Sequence, residues 1–578
     1  MVSTTYLDAM RATARRAGNE RGIRFYSDET TSVRWGYAEL DERARARAAA
    51  LTDLGYGPGD VAVLAFDPGM GFIESVWAAI YAGMTIAPVP VTAGRNIEAV
   101  AARLAAITAD AGSRLVLTES SVRAVVDAAE MPGVEIRLLE GPDLSLVDAW
   151  VPPRIDGDSV VLLQYTSGST GAPKGVTVTH ANLVANEEAI AAAVVDDENS
   201  VWVGWLPHYH DMGLIGLLLR PIYGGADAVL TSPSRFLRRP LFWLRLITRH
   251  RGTFTVAPDF AYRLCTQVVT DEQLAELDLS SLTHVVTGAE PIKVDTTRDF
   301  SARFAAAGFD SRAFIPAYGM AETTLIISAA AGDGIHSISA DAGALESGDL
   351  LPAVDARSVD LVLCGPPVPG STVAVVDPVS HEWQPDGRVG EIWVHGPSVA
   401  RGYWNRPLET AETFGVRIVG DDLPYLRTGD LGAIVDGQIV ITGRQKDLII
   451  SHGRNIYPQD VEATASREVG TDPGCLSAAF ALEGQASEVG IAVEVDPRTL
   501  SSADLPAMST DVRRAIARDF GLPSIGIALV RKGLLPRTTS GKIQRGRVRA
   551  ALLTGEITVA HTDGLTIDRR DDVDAPVG

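Results

Sequence analysis

Tyr165-Thr166-Ser167-Gly168-Ser169-Thr170-Gly171-Ala172-Pro173-Lys174-Gly175 is the stretch on which the fold and chemistry of this chain turn. It follows Val160 to Tyr165, an apolar run with the length and composition of a buried strand. Hydroxyl side chains at 166, 167, 169 and 170 then alternate with glycines before a lysine closes the loop. Such a loop can turn backbone N–H groups and hydroxyls toward phosphate oxygens. It is not a Walker A loop, because GxxxxGK[ST] would need a glycine where Pro173 stands. A flexible Ser/Gly linker would need neither the apolar strand nor the Pro-Lys-Gly ending. The loop is a candidate anion cradle.

Lys174 is one of only five lysines, with Lys293, Lys446, Lys532 and Lys542, in a chain that has 46 arginines. Lysine offers a compact point charge on a flexible stem, which arginine does not. Positions that keep lysine in such a chain are therefore candidates for chemistry. The overall balance is acidic, with a formal charge of −22, which disfavours nucleic acid and anionic membrane surfaces as partners. At 578 residues, with 46% hydrophobic and 21% charged residues, the chain has length for several folding units and ordinary globular proportions. No apolar run approaches the length of a membrane span, and Met1 to Glu20 lacks the apolar core of a secretory signal. Cys265, Cys364 and Cys475 lie far apart and form no CxxC, so a reducing cytoplasmic setting is expected.

Outward from the loop, the pattern predicts helices over Glu39 to Gly55, Gly71 to Gly83 and Ile97 to Ala111. Strands are expected at Val61 to Phe66, Arg114 to Thr118, Val201 to Trp205, Thr253 to Val256 and His284 to Thr287. This is the βαβ rhythm of an α/β domain built on mostly parallel sheets. From about residue 329 the texture becomes Gly/Ala/Asp/Ser-rich, and then strand-like runs follow at 361–363, 372–376 and 390–394. Asp436-Gly437, between Ile434-Val435 and Gln438-Ile439-Val440, reads as a two-residue hairpin turn. A β-rich subdomain is therefore expected, with a domain boundary near Lys446. The division is 1–445 for a large N-terminal core, 446–555 for a small α+β C-terminal domain, and 556–578 for a polar tail.

Further pieces carry chemistry in chain order. They are Thr287-Gly288-Ala289-Glu290-Pro291, Tyr318-Gly319-Met320-Ala321-Glu322-Thr323, Tyr425 to Asp430, Gly443-Arg444-Gln445-Lys446-Asp447 and Leu535 to Lys542. Together with residues 165–175 they resemble the motifs of the adenylate-forming superfamily, over nearly the whole chain. Trp205-Leu-Pro-His208-Tyr-His210-Asp211-Met212-Gly213 narrows the resemblance to fatty acyl-AMP ligases, as do Ser232 to Pro240, Ala257 to Tyr262 and Cys364 to Gly370. Met320 and Ala321 fit that branch, and the threonine of acyl-CoA synthetases is absent before Glu322.

The resemblance implies a ligase that joins a carboxylic acid, of the fatty-acid class, to AMP with release of pyrophosphate. A mobile C-terminal lid would then help pass the acyl group to the phosphopantetheine thiol of an acyl carrier protein of a polyketide synthase or peptide synthetase. It implies phosphate contacts from Thr166, Ser167, Gly168, Ser169, Thr170, Gly171 and Lys174. Gly288, Ala289, Glu290, Tyr318, Gly319 and Met320 would surround the adenine, and Asp430 and Arg444 would hold the ribose. Glu322 and Thr166 would hold Mg²⁺, Lys446 would act as hinge, and Lys542 would bridge the carboxylate and α-phosphate. His210 would stand in the acyl-site wall, with Met212, Ile215 and Leu218 as candidate tunnel residues.

These roles agree with elementary chemistry. Bringing a carboxylate against an anionic phosphate needs positive charge and in-line positioning more than covalent help, and a carboxylate is the hard donor a hard cation prefers. Residues 335–360 are the candidate for a family insertion linked with rejection of free coenzyme A. An acyl-CoA synthetase and a catalytically silent adenylate-binding scaffold remain alternatives. His208, His210 and Asp211 also resemble half of a metallo-hydrolase site, without its later histidine. Two basic clusters, Arg235/Arg238/Arg239 with Arg245 and Arg249, and Arg545/Arg547/Arg549, are candidates for docking an acidic carrier, with the second slightly preferred.

Overall fold

The computed structural model describes residues 5–91, 96–167, 173–354, 357–451, 454–470, 475–482, 487–496, 504–522, 524–538 and 541–567. The strand Val61–Phe66 shows how the N-terminal part is assembled. All six residues are buried, because alternate side chains leave opposite faces of a strand and both faces are covered. Ala62, Leu64 and Phe66 join one core, while Val61, Val63 and Ala65 join another with Leu104 and Ile107.

The βαβ rhythm resolves into two sheets. One has six strands in the order Glu135–Leu138, Leu115–Thr118, Val61–Phe66, Thr85–Pro90, Val160–Ser167, Pro173–Thr179. The other has eight, from Ile326–Ala329 at one edge through Phe314–Gly319, His284–Thr287, Phe254–Ala257, Val201–Gly204, Asp227–Thr231 and Gly22–Tyr26 to Ser32–Gly36. Inner neighbours are parallel, and antiparallel strands close three of the four edges. Helix Met70–Tyr81 is apolar almost all round, and every residue from Phe72 to Tyr81 is buried, as befits a helix packed on more than one side. Its Trp77 and Tyr81 share a core with residues of both sheets.

The expected β-rich subdomain is a four-stranded antiparallel sheet, Thr372–Val376, Gly390–His395, Leu426–Val435 and Gln438–Arg444. Its hairpin turns at Asp436 and Gly437, with φ of 49° and 76°. Two successive positive φ values are the geometry whose twist matches that of paired strands. The stretch 335–360, weakly patterned in sequence, folds as strands Ser337–Asp341 and Ser358–Val362 paired antiparallel around helix Ala342–Glu346.

The C-terminal residues build their own sheet, Ser477–Ala481, Val489–Val495, Ile525–Arg531 and Val559–Asp563. Helices Pro458–Val469 and Leu505–Phe520 cover one face and helix Arg545–Leu553 the other. The strand Val559–Asp563 corrects the expectation of a separate polar tail from residue 556. Val559 packs into the core of the C-terminal domain and His561 pairs with Leu529, so an edge strand with half-exposed polar side chains resembles a polar tail in sequence. Residues 568–578 lie outside the described part. Among the described residues, no helix is long and apolar enough to cross a membrane.

Candidate active site

The antiparallel strands Val160–Ser167 and Pro173–Thr179 hold the two ends of the hydroxyl-rich loop in register, Thr166 opposite Lys174 and Ser167 opposite Pro173. Gly168, Ser169, Thr170 and Gly171 lie outside the described residues. Lys174 places its Nζ 5.1 Å from the centre of the Tyr403 ring, a cation–π contact. The Tyr403 hydroxyl in turn donates to Glu322 Oε1 at 2.9 Å. Lysine, tyrosine and glutamate thus form a line from the loop to the turn after Phe314–Gly319.

Backbone bonds fix that line. Thr177 donates to the Gly402 carbonyl and Arg401 to that of Thr177, while Trp404 donates to Gly175 and Ala400 to Glu322. Segment 400–404 therefore laces the loop hairpin to the glutamate. Tyr403 was not identified from the sequence. Its one signal there was an aromatic pair, Tyr403-Trp404, after glycine in an otherwise polar stretch.

Glu322 sits in a tight turn that ends at Thr324, whose φ of 68° lies in the left-handed region. That conformation is unfavourable for a β-branched residue. Here the buried Thr324 hydroxyl, donating to the Ser398 carbonyl at 2.8 Å, helps hold it. Burial pushes the Glu322 carboxyl above the usual range, against the lowering effect of the Tyr403 hydroxyl. A nearby cation would relieve that cost. Among the described residues no group of three His, Cys, Asp or Glu could hold a metal by itself. The donor set of Glu322 with the Thr166 hydroxyl fits an ion such as Mg²⁺, which is bound through one or two carboxylates together with substrate phosphates.

Asp430 is buried, with 4% exposure. It accepts from the Tyr318 hydroxyl at 2.8 Å and is paired with Arg444 Nε at 2.8 Å. Asp430 and Arg444 face each other across neighbouring strands, so sheet register builds the pair. The Arg444 side chain is 50% exposed. Gly288 and Gly319 are required by close packing. A Cβ at 288 would stand 2.6 Å from the Ala317 carbonyl oxygen, and one at 319 only 1.9 Å from that of Leu325. Ala289 has φ 64°, and Glu290 accepts from the Phe260 N–H at 2.7 Å, its carboxyl raised by burial. Met320 belongs to the core of the neighbouring β subdomain and does not titrate or bond through its side chain.

His210 Nδ1 pairs with Asp211 Oδ1 at 2.6 Å. Burial acts to raise the Asp211 carboxyl, but His210 and Lys542 hold it below the usual range. The helix that follows has a π-helical stretch, Leu214–Leu219, in which every residue is buried. Such wide turns are frequent beside functional sites, and nothing in the sequence announced it. Met212, Ile215 and Leu218 are all members of the main core. His208 differs from His210: it is buried against Phe25 and Phe72, and burial lowers its imidazole to about 4.

Lys542 comes from the C-terminal domain, yet its ammonium lies among charges of the N-terminal part. Burial lowers its pKa, Asp211 and Glu290 act to raise it, and Arg444 acts to lower it. The loop that carries it is closed by the Thr538 N–H to the Lys542 carbonyl at 2.7 Å and by the Lys542 N–H to Thr538 Oγ1 at 3.0 Å. Glu494, fully buried, fastens the base of the loop by accepting from the N–H groups of Gly533 and Leu535 and pairing with Arg537 at 3.1 Å. Sequence reasoning missed Glu494 as well, since a lone glutamate in the strand Val489–Val495 gives no motif. Lys446 lies between the domains in a short turn, Gln445–Asp447, and burial and Arg444 lower its pKa.

The site thus brings Glu322, Asp430, Arg444, Glu290 and Asp211 from one part and Lys542 from the other within electrostatic reach of one another. Residues 11–404 match the family model described as AMP-binding enzyme. The chain belongs to that family. It is 38% identical over 535 residues to a medium-chain fatty-acid–[acyl-carrier-protein] ligase of Moorena producens, with 90% of each chain covered. It is 33% identical to a long-chain fatty-acid–AMP ligase of Mycobacterium tuberculosis, covering 93% of this chain and 96% of that one. Among solved structures it is similar to fatty acyl-adenylate ligases studied from E. coli and L. pneumophila, with a TM-score of 0.84, 30% identity, and 95% and 97% of the two chains covered. The L. pneumophila enzyme in complex with acyl adenylate and pyrophosphate gives a TM-score of 0.75 at 32% identity over 97% and 98%. Within the AMP-binding enzymes this chain groups with the fatty acyl-AMP ligases, as its motifs imply.

Proposed function

We infer that the protein activates a fatty acid of medium or long chain with ATP and delivers the acyl group to the thiol of a holo acyl carrier protein. The observation that carries this reading is the position of Lys542. A lysine of the C-terminal domain interacts with Asp211, Glu290, Arg444 and Asp430 of the N-terminal part, charged groups that suit a nucleotide and a carboxylate.

In the first half-reaction a carboxylate oxygen attacks the α-phosphorus, and the bond from that phosphorus to the pyrophosphate oxygen breaks. Charge grows on the oxygens around phosphorus, and a preplaced ammonium stabilises it more than the ground state. Lys542 takes that role, and Lys174 with the hydroxyl loop steadies the β- and γ-phosphates. Asp430 accepts from the ribose hydroxyls while Arg444 donates to them. The Tyr318 ring, its hydroxyl tied to Asp430, offers a face to adenine beside Gly288, Ala289 and Gly319. Glu322 and Thr166 would hold Mg²⁺, which supplies positive charge to the phosphates. His210, oriented by Asp211, stands in the acyl-site wall.

In the second half-reaction the carrier's sulfur attacks the acyl carbon, the bond from that carbon to the phosphate oxygen breaks, and AMP leaves. The division at 445/446, a lid that turns about Lys446, and a cytoplasmic enzyme serving a polyketide synthase or peptide synthetase complete the proposal. A preference for carrier over coenzyme A is supported by the pairing of residues 335–360 with the lid. Glu346 lies 3.2 Å from Arg454, and Arg357 stacks 4.5 Å over the Phe520 ring. These side-chain contacts tie the 335–360 segment to the C-terminal domain.

Mass spectrometry of products from a panel of carboxylic acids with ATP, plus coenzyme A or a holo carrier, tests this reading. Acyl-AMP, pyrophosphate and acyl-carrier thioester are expected, with little acyl-CoA. Efficient acyl-CoA synthesis would put the synthetase alternative first, and absence of acyl-AMP with every acid would favour the silent scaffold.

A further inference from the structure

One cavity stands out against the acidic balance of the chain. The short helix Pro233–Arg238 and the residue after it place Arg235, Arg238 and Arg239 around a cavity of about 400 Å³, with Asp28 and Glu29 as the rest of its lining. Arg238 is exposed, and among the described residues its recorded bond is to the Ser234 carbonyl on its own helix. Arg235 donates from Nη2 to the Ser27 carbonyl at 2.6 Å, while its buried Nε has no partner. Arg239 pairs with Glu29 at the surface. Asp28 also lines the cavity, and its carboxylate, accepting from the Thr30 and Thr31 N–H groups of its own turn at 2.8 and 2.7 Å, stays ionised and offsets part of this charge. Behind the cavity Arg249 donates to the Glu29 carbonyl and lies 5.7 Å over the Tyr26 ring. Four guanidiniums thus meet two carboxylates in a protein of charge −22.

Two observations connect this patch to catalysis. Leu237, on the same helix, is 58% exposed and gives the basic rim an apolar contact point. The opposite face of the helix points at the site. Phe236 stacks on Trp205 at 3.8 Å and 6°, and Trp205 meets Phe260 at 6.0 Å. The Phe260 N–H binds Glu290, whose carboxylate acts on Lys542. A chain of aromatic contacts therefore runs from the helix of the cavity to the residue that binds Glu290.

In the alternative cluster beyond Lys542, Arg545 is already committed. Arg545 binds Glu462 through two nitrogens, at 2.7 and 2.8 Å, and Asp447 at 3.0 Å. Its charge is absorbed inside the lid and by the turn that joins the domains. Of that cluster, Arg545 is therefore the residue least available to a partner.

We propose that the Arg235/Arg238/Arg239 cavity, with Leu237, is the surface on which an acidic carrier protein docks through a carboxylate-bearing helix. The proposal rests on the carrier reading above. At long range a chain of −22 repels an acidic partner, so productive encounter needs a local field of the opposite sign. Guanidinium forks suit carboxylates by geometry as well as charge. Charges at a rim act mainly on the rate of encounter.

The test uses full-length enzyme and, as probe, the acidic holo acyl carrier protein of bacterial fatty-acid synthesis. Arg238→Glu combined with Arg239→Glu is expected to lower kcat/KM for thioester transfer by about tenfold or more. Acyl-AMP formation without carrier should stay within about twofold of wild type, which also reports folding. The loss should shrink as salt rises, because the Debye length is about 8 Å at physiological ionic strength. A carrier whose helix carboxylates are changed to lysine should regain transfer with the reversed enzyme and lose it with wild type. Arg547→Glu, on the lid helix, should leave transfer near normal. Wild-type transfer by the double variant, or a loss confined to Arg547→Glu, would overturn the docking surface while leaving the carrier reading intact. A wild type that loads coenzyme A and leaves the carrier unloaded would overturn both.

Discussion

The two halves of the site are built by different means. The N-terminal part sets its groups by sheet register and short turns. Asp430 faces Arg444 across paired strands, and Glu322 is held between Tyr403 and the Ala400 N–H. The C-terminal domain contributes one ammonium on a loop, fastened at its base through Glu494 and carried at its tip by Lys542. Groups that must bind the same nucleotide throughout a reaction belong on rigid elements. A charge needed in one half-reaction and in the way of the next is better placed on an element that can leave. The contrast predicts that the two halves fail differently when broken.

Lys542→Ala carries the largest expected effect. Removing one preplaced donor to the developing charge should lower acyl-AMP formation by roughly 10²- to 10³-fold, with little change in melting or in ATP affinity. Single-turnover pyrophosphate release checks it, and near-normal release by a folded variant would remove Lys542 from the reaction. Asp430→Asn should come next. The amide keeps the shape but weakens the bond to Arg444 and to the ribose, at about 1.5–3 kcal/mol for a bond to a charged group. That corresponds to roughly a ten- to hundredfold lower kcat/KM for ATP, seen mainly in KM. If both variants lost activity only through kcat, the distinction between a binding half and a reacting half would fall.

Arg545→Ala probes the joint between the halves. Arg545 ties Glu462 in the lid to Asp447 in the connecting turn, and its pKa is raised by those partners despite burial. Its loss leaves two carboxylates facing each other without a cation, at about 2–3 kcal/mol for this partly exposed pair. The lid should melt earlier in calorimetry while the N-terminal transition stays in place. Transitions that move together would mean that the lid has no independent cooperative unit.

What was legible in the sequence was local. The strand Val61–Phe66, the hairpin at Asp436-Gly437 and the rare lysines could be read because period, turn chemistry and residue scarcity are written in neighbouring positions. Glu322, Asp430, Arg444 and Lys542 were legible by motif, and the structure places their charges within reach of one another. The contacts that make them a site were not. Tyr403 meets Lys174 and Glu322 across long sequence separations, and Glu494 fastens a loop some 40 residues further on. A period cannot encode such pairings. The division of the parallel strands between two sheets escaped for the same reason, since strand order is a tertiary choice. The strand Val559–Asp563 was missed because half-exposed polar side chains on a sheet edge look like any polar tail.

The smallest effect compares how the two regions respond to pH. Each buries a carboxyl that folding pushes upward. Glu187, in the N-terminal part beside Arg220 and Asp196, is raised by burial to about 8. Asp460, in the lid against the 335–360 segment, is raised by burial to about 6, with Arg357 pulling it down. A carboxyl whose folded pKa exceeds its unfolded value binds protons more readily when folded, so stability falls as pH rises between the two values. For Asp460 that window runs from its ordinary value of 3.8 to about 6, and for Glu187 from 4.5 to about 8. From pH 6 to pH 8 only the N-terminal part should therefore still be losing stability from this source. Glu187→Gln removes the titration and leaves Arg220 its pairing with Asp196 at 2.5 Å. The N-terminal transition of the variant should gain about 2 °C relative to wild type at pH 8, and the gain should fade toward pH 5. The lid transition should not respond. Calorimetry at pH 5, 6.5 and 8 separates these outcomes, and a gain independent of pH would show that Glu187 acts through packing rather than through its proton.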